Sequence, residues 1–217
     1  MKKIIALIAL MCVSFAALAE EELELKKAEV NLQDKVALQR GAQIFFNNCL
    51  GCHTIKYVRY ERMAVDLGIP KEVMLDKLMF DKDKKFGEQI TIAMTKDYAT
   101  KQFGNPPPDL TLEARLRGPN WVFSYLTGFV PDAKRPWGVN NTVFPDVGMP
   151  YVLANMERDL GPEKFEAAMQ DLTAFMVYVA EPIQTERKHL GAIVLAFLAF
   201  LMIPVWFLNK EYWKDVH

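Results

Sequence analysis

Cys49-Leu50-Gly51-Cys52-His53 is the stretch on which the reading of this chain of 217 residues turns. Cys-x-x-Cys-His is the attachment signature of a covalently held haem. Its two thiols add to the vinyl groups on one porphyrin edge, and two intervening residues let a single turn of backbone present both sulfurs there. The next side chain, His53, then lies below the ring with its imidazole toward iron. Other uses of a Cys pair fit this chain poorly. A structural zinc site takes four nitrogen or sulfur ligands. The chain has three Cys and three His, of which Cys12 lies in an N-terminal leader and His189 and His217 flank a C-terminal apolar run. A thioredoxin-like pair would follow a strand, whereas the lead-in here has helical spacing. A disulfide between Cys49 and Cys52 would close a tight, strained loop.

The two ends say where such a haem would work. Residues 1–19 have the form of a secretory signal peptide. Lys2 and Lys3 make the basic start, Ile4 to Phe15 the apolar stretch, and Ala17-Leu18-Ala19 a small-residue cleavage site. Its removal takes two of the 26 basic residues and none of the 27 acidic ones, leaving a mildly acidic body with no expectation of a nucleic-acid partner. Leu190 to Leu208 runs without a charge. At the helical rise this covers roughly 28 Å, close to the thickness of the hydrocarbon layer. Trp206, Tyr212 and Trp213 would sit at the inner interface. The expected division is a signal peptide at 1–19, a periplasmic haem domain at 20–188, a transmembrane helix at 189–209 and a short cytoplasmic tail at 210–217. The location that follows is the bacterial inner membrane, crossed once.

Within the body the chain predicts a mainly α fold. Val36, Leu38, Ala42, Phe45 and Phe46 give Asp34 to Asn48 a broad apolar face that runs into the haem motif, and Arg40-Gly41 offers a close-packing point. Gly161-Pro162 opens a second helix, to Ala180, with Phe165, Met169, Leu172, Phe175, Met176 and Val179 at helical spacing. A helix before the haem motif, packed on a helix at the domain's end, is the arrangement of class I cytochromes c. Lys71 to Met79 and Asn120 to Phe129 also read as helical. Residues 20–29 read as a lead-in segment or a fraying helix. Residues 104–109 and 130–150 read as irregular loops whose use is to wall the ring.

A low-spin electron carrier also holds iron from the far side, and a Met thioether there favours Fe(II) and raises the potential. Among the eleven Met, Met169 and Met176 read as core, and Met63, Met74, Met79, Met94 and Met156 fall in helical patterns. Met149 differs. In Val147-Gly148-Met149-Pro150, Gly148 allows close backbone approach and Pro150 keeps Met149 extended. That context singles out Met149 while leaving the other methionines open.

Beyond the haem motif come Pro107-Pro108-Asp109-Leu110, Ala114-Arg115, Phe123-Ser124-Tyr125-Leu126-Thr127-Gly128, Phe144-Pro145 with Gly148-Met149, Ala180-Glu181-Pro182, and Arg187-Lys188 with Gly191. In this order they resemble the cytochrome c1 family, the haem subunits of cytochrome bc1 complexes, over essentially the whole mature chain. The resemblance implies one haem c on Cys49 and Cys52, with His53 and Met149 as axial ligands. It places Arg115 near the haem propionates, where a guanidinium forms paired charged hydrogen bonds, and Pro107 and Pro108 in a loop lining the pocket. It implies cytochrome b and a Rieske iron–sulfur protein as partners in a dimeric complex, with a c-type cytochrome as acceptor. The chain departs from mitochondrial members in a shorter stretch between the haem motif and Pro106, and it lacks a long acidic insertion. Charge-steered docking of a basic carrier is therefore not implied. A free-standing anchored carrier, serving another reductase or oxidase, fits the motif and anchor equally well but not the ordered set of later motifs.

Overall fold

Two helices frame the haem motif, and the rest of the chain is wrapped around their crossing. The computed structural model describes residues 24–215, so the expected signal peptide lies outside the described residues. In chain order these residues form α1 (Lys35–Asn48), β1 (Ile55–Arg59), α2 (Tyr60–Leu67), α3 (Lys71–Val73) running into a π-helical turn (Met74–Leu78), and β2 (Gln89–Ile90). There follow α4 (Lys96–Phe103), α5 (Glu113–Leu116), α6 (Pro119–Leu126), β3 (Phe129–Pro131), β4 (Val139–Asn141), α7 (Ala154–Leu160), α8 (Pro162–Ala180) and α9 (Gln184–Tyr212).

α1 starts where the Asp34 carboxylate accepts the Ala37 N–H at 3.0 Å, satisfying a donor the helix leaves unpaired. Its buried stripe is Leu38, Ala42, Phe45 and Phe46. α8 carries Pro162 in its first turn and buries Phe165, Met169, Leu172, Phe175, Met176 and Val179. The two stripes meet, with the Phe45 and Phe175 rings 5.6 Å apart. Each such ring contributes about 2–3 kcal/mol by leaving water. Gly41 sets how close the helices come. A Cβ there would fall 2.7 Å from the Asp171 carbonyl carbon and from Phe175 Cβ. At the rim, Arg40 Nε and Nη2 donate to the two carboxylate oxygens of Asp171 at 2.6 and 3.0 Å.

Two small antiparallel sheets complete the domain. β1 pairs with β2 through an irregular register, and β3 pairs with β4, Phe129 facing Asn141 and Pro131 facing Val139. The lead-in at residues 24–30 is not helical. It lies as an arm across α6 and α8, because its N–H groups find side-chain acceptors: Lys26 on Ser124 Oγ at 2.8 Å, Ala28 on Asn120 Oδ1 at 2.9 Å, and Glu29 on Gln170 Oε1 at 2.8 Å.

The helix expected from Lys71 is present and widens into a π-helical turn at Met74. Three expectations need correction. Residues 130–150 include the β3–β4 hairpin, whose strands are too short to alternate visibly. The helix over Asn120 ends at Leu126, because the chain turns there into β3. Met94 lies in the connection before α4, whose cap is Thr95, and so belongs to no helix.

α9 stands apart from this core. It runs 29 residues, containing Pro204 and the whole charge-free run, and none of the side chains in its apolar window is buried. A helix apolar all round and uncovered has the character of a membrane span.

Candidate functional site

The haem motif is the turn that ends α1. The N–H groups of Cys49 and Leu50 both reach the Phe45 carbonyl, at 2.8 and 3.0 Å. Those of Cys52 and His53 then fold back onto the Cys49 carbonyl, at 3.0 and 2.9 Å. Both thiols therefore sit on one tight turn, and they are not bridged to each other. Burial, with Cys52 nearby, pushes the Cys49 thiol up to about 12.

His53 is buried, and its Nδ1 lies 2.8 Å from the Pro108 carbonyl. A carbonyl only accepts, so Nδ1 carries the proton and donates, which leaves Nε2 with a bare lone pair. Burial lowers the pKa of the imidazole, outweighing the opposing effect of the Pro108 bond and of nearby Glu113 and Asp109. A neutral ring with one nitrogen fixed by a backbone acceptor is the form that ligates a metal.

The Pro108 carbonyl is itself held. Asp109 accepts the Thr54 hydroxyl at 2.5 Å, the Lys56 N–H at 2.9 Å and the Thr111 N–H at 3.1 Å. The Leu110 N–H returns to the Thr54 carbonyl at 2.9 Å. Residues 54–56 and 108–111 are thus laced together directly beside the motif. Pro107 is half-buried in the same loop. Sequence reasoning had given Pro107 and Pro108 a lining role; the specific contribution visible here is the Pro108 oxygen.

Met149 follows the hairpin. The segment that leads to it is braced by Arg135, whose Nη1 donates to Asp146 Oδ1 at 3.0 Å. Its Nη2 donates to the carbonyls of Asp146 at 2.5 Å and Val147 at 3.2 Å. Asp146 has a φ of 64°, a left-handed conformation uncommon outside Gly. It is held there by Arg135 and by its own N–H on Asn140 Oδ1 at 2.8 Å. Met149 is half-buried, and its Sδ accepts a hydrogen bond from the Tyr125 hydroxyl at 3.4 Å. Burial pushes that phenol up to about 12, although Arg117 works against it, so the hydroxyl keeps its proton. Gly148 has no protein atom within 4 Å of where a Cβ would lie.

Arg115 lies on α5, largely exposed, with Nη1 3.9 Å from Glu181 Oε2. Glu181 is also gripped by Arg187 of α9. Sequence reasoning missed Asp109 as an organiser, along with Arg135, Asn141 and the Tyr125 hydroxyl. In the sequence Tyr125 reads as part of a helical stretch and of the run at residues 123–128, with no role for its hydroxyl. Among the described residues no group of three or more His, Cys, Asp or Glu could hold a metal ion. The donors present are two thiols on one turn, a neutral imidazole with a bare nitrogen, and a thioether on a braced loop. That set fits a haem.

Comparison with known proteins agrees. The model of the Cytochrome C1 family matches residues 26–216. A cytochrome c1 from Allochromatium vinosum is 43% identical over 245 aligned residues that cover all of both chains. A protein of Nitrosomonas europaea named ammonia monooxygenase gamma subunit is 34% identical, covering 97% of each chain. A cytochrome c1 from Rhodospirillum rubrum is 30% identical over 84% of this chain and 83% of its own. Agreement that runs almost from end to end means that the chain belongs to the cytochrome c1 family.

Proposed function

We propose that this chain is the haem-bearing subunit of a cytochrome bc1 complex, an electron relay that makes and breaks no substrate bond itself. Cys49 and Cys52 hold one haem c by thioether bonds, and His53 and Met149 supply the axial ligands. When bound, the haem supplies a one-electron couple. Everything else is done by the polypeptide. His53 is kept in one tautomer by Pro108, Asp109 fixes the carbonyl that does this, and Pro107 and Pro108 wall the pocket. The exposed Arg115 guanidinium, whose pairing with Glu181 is loose, is available to the haem carboxylates. A thioether opposite an imidazole favours Fe(II) and sets a high potential. α9 confines the domain to the membrane surface on the periplasmic side, beside cytochrome b and a Rieske iron–sulfur protein in a dimeric assembly. The chain accepts one electron from the iron–sulfur protein and yields it to a c-type cytochrome.

The observation that carries this reading is the His53 Nδ1–Pro108 hydrogen bond next to two unbridged thiols on the same turn. It prepares one imidazole nitrogen for iron at the point where the attachment cysteines lie. Denaturing the purified protein and extracting it with acidified organic solvent tests attachment. The pigment should stay with the polypeptide, and a colourless chain would end the proposal. Purification in mild detergent tests the assembly, since a b-type cytochrome and an iron–sulfur protein should come with it. The Nitrosomonas relative's name favours a second reading, in which an anchored chain of this build serves a different membrane enzyme. Isolation without those two partners would select it.

A further inference from the structure

We infer that Tyr125 is a positioning residue for the axial thioether, and that its hydroxyl raises the reduction potential of the bound haem by hydrogen-bonding to Met149. The inference rests on Met149 being an iron ligand, as proposed above.

The geometry around Tyr125 is built rather than incidental. Its hydroxyl donates to Met149 Sδ at 3.4 Å. Its ring is stacked on Trp121, with centroids 5.2 Å apart and planes at 13°, and is met edge-on by Phe129 at 5.4 Å and Phe144 at 6.5 Å. Arg117 caps the other side of that stack, 4.3 Å from the Trp121 centroid. The Tyr125 backbone is tied to the Met149 segment by one buried amide. Asn141 Nδ2 donates to the Tyr125 carbonyl at 2.8 Å, while Asn141 Oδ1 accepts the N–H groups of Val143 and Phe144 at 2.9 and 3.2 Å. Donor and acceptor are thus held in register through α6, β4 and the following loop.

A thioether is a weak acceptor, so this bond adds little to stability. Its consequence is electronic. The sulfur has two lone pairs; one takes the Tyr125 proton donor and the other remains for iron. A hydrogen bond draws density from sulfur and weakens its donation, which costs Fe(III) more than Fe(II). The O–H dipole also points its positive end at the site, which favours the state with the extra electron. Both effects raise the potential. No bond is made or broken, and the proton stays on the Tyr125 oxygen in both redox states.

The test uses the haem-loaded full chain in detergent. Tyr125→Phe keeps the ring and removes only the donor. It should retain the thioether-to-iron charge-transfer band while shifting the Fe(III)/Fe(II) ratio at fixed ambient potential by three- to tenfold toward Fe(III), about 30–60 mV for a one-electron couple. Site-specific 3-fluorotyrosine at position 125, a stronger donor of nearly the same size, should move the midpoint the other way when measured below neutral pH. An unchanged midpoint in both variants, with Met149→Leu abolishing the band, overturns the inference and leaves the ligand assignment standing. Persistence of the band in Met149→Leu overturns the assignment, and the inference with it.

Discussion

At the scale of single residues, the site depends on groups that hold the proposed ligands as much as on those ligands. Asp109 is one of these. Burial pushes its carboxyl up, yet the Lys56 N–H, the Thr111 and Thr54 hydroxyls and the Thr111 N–H outweigh it, so its pKa is lowered on folding. A carboxyl depressed in the folded state adds stability that is fully present above its ordinary range. That contribution is lost as pH falls through the folded value, so the window lies below about pH 4. Asp109→Asn should lower stability at neutral pH by on the order of 1 kcal/mol, the figure being small because the group is partly solvated. It should also flatten the acid limb, as urea unfolding across a pH series would show. The cysteines and His53 were legible in the sequence because their chemistry is contiguous. Asp109, Arg135, Asn141 and the Tyr125 hydroxyl were not, because each acts on a partner that only folding brings near. For Tyr125 and Met149 the separation is 24 residues.

At the scale of elements, α1 and α8 were legible for the same reason that they dominate the core: long stripes of apolar residues at helical spacing leave one solution. Gly41 marks their contact. Gly41→Ala must force the crossing apart against the Asp171 backbone and Phe175. It should cost about 3 kcal/mol, the upper range for overpacking, and lower the thermal midpoint of the haem-loaded protein by several degrees. The β3–β4 hairpin escaped notice because strands of three residues show no period, and its stability comes from polar groups. Asp132 accepts from Asn140 Nδ2 at 3.1 Å, and Arg135 bridges to Asp146 and Val147. Arg135→Leu leaves two carbonyls unpaired and releases Asp146 from its left-handed conformation. The measured stability loss should be about 2 kcal/mol. The reduced form should also bind CO faster than the wild type, because the loop presenting Met149 is no longer braced.

At the scale of the whole molecule, the chain is a haem domain joined to a bare helix by a very short link. α8 ends at Ala180 and α9 begins at Gln184. In between, Glu181 is paired with Arg187 on the anchor and lies near Arg115 on the domain. So short a link, clasped by an ion pair, couples the orientation of the domain to that of the span. α9 would reach roughly 43 Å at the helical rise, enough to cross the hydrocarbon layer and enter both interfaces. The sequence announced the span plainly, since a charge-free run of that length has few other uses. It did not announce the clasp, whose partners lie on two separate helices, α5 and α9, and on the turn that precedes α9. Two functions of α9 can be separated by experiment. Ending the chain after Lys188 removes the charge-free run but keeps Glu181 and Arg187. The haem domain should then be released into the soluble fraction with its absorption spectrum and midpoint potential intact, because among the described residues no core residue lies beyond Ala180. Electron transfer from the proposed donor, a reduced iron–sulfur protein, in membranes should fall to the rate of a diffusing partner and become concentration-dependent. A truncated domain that still sediments with washed membranes and turns over at the full rate would mean that contacts with its neighbours, not the helix, hold it in place.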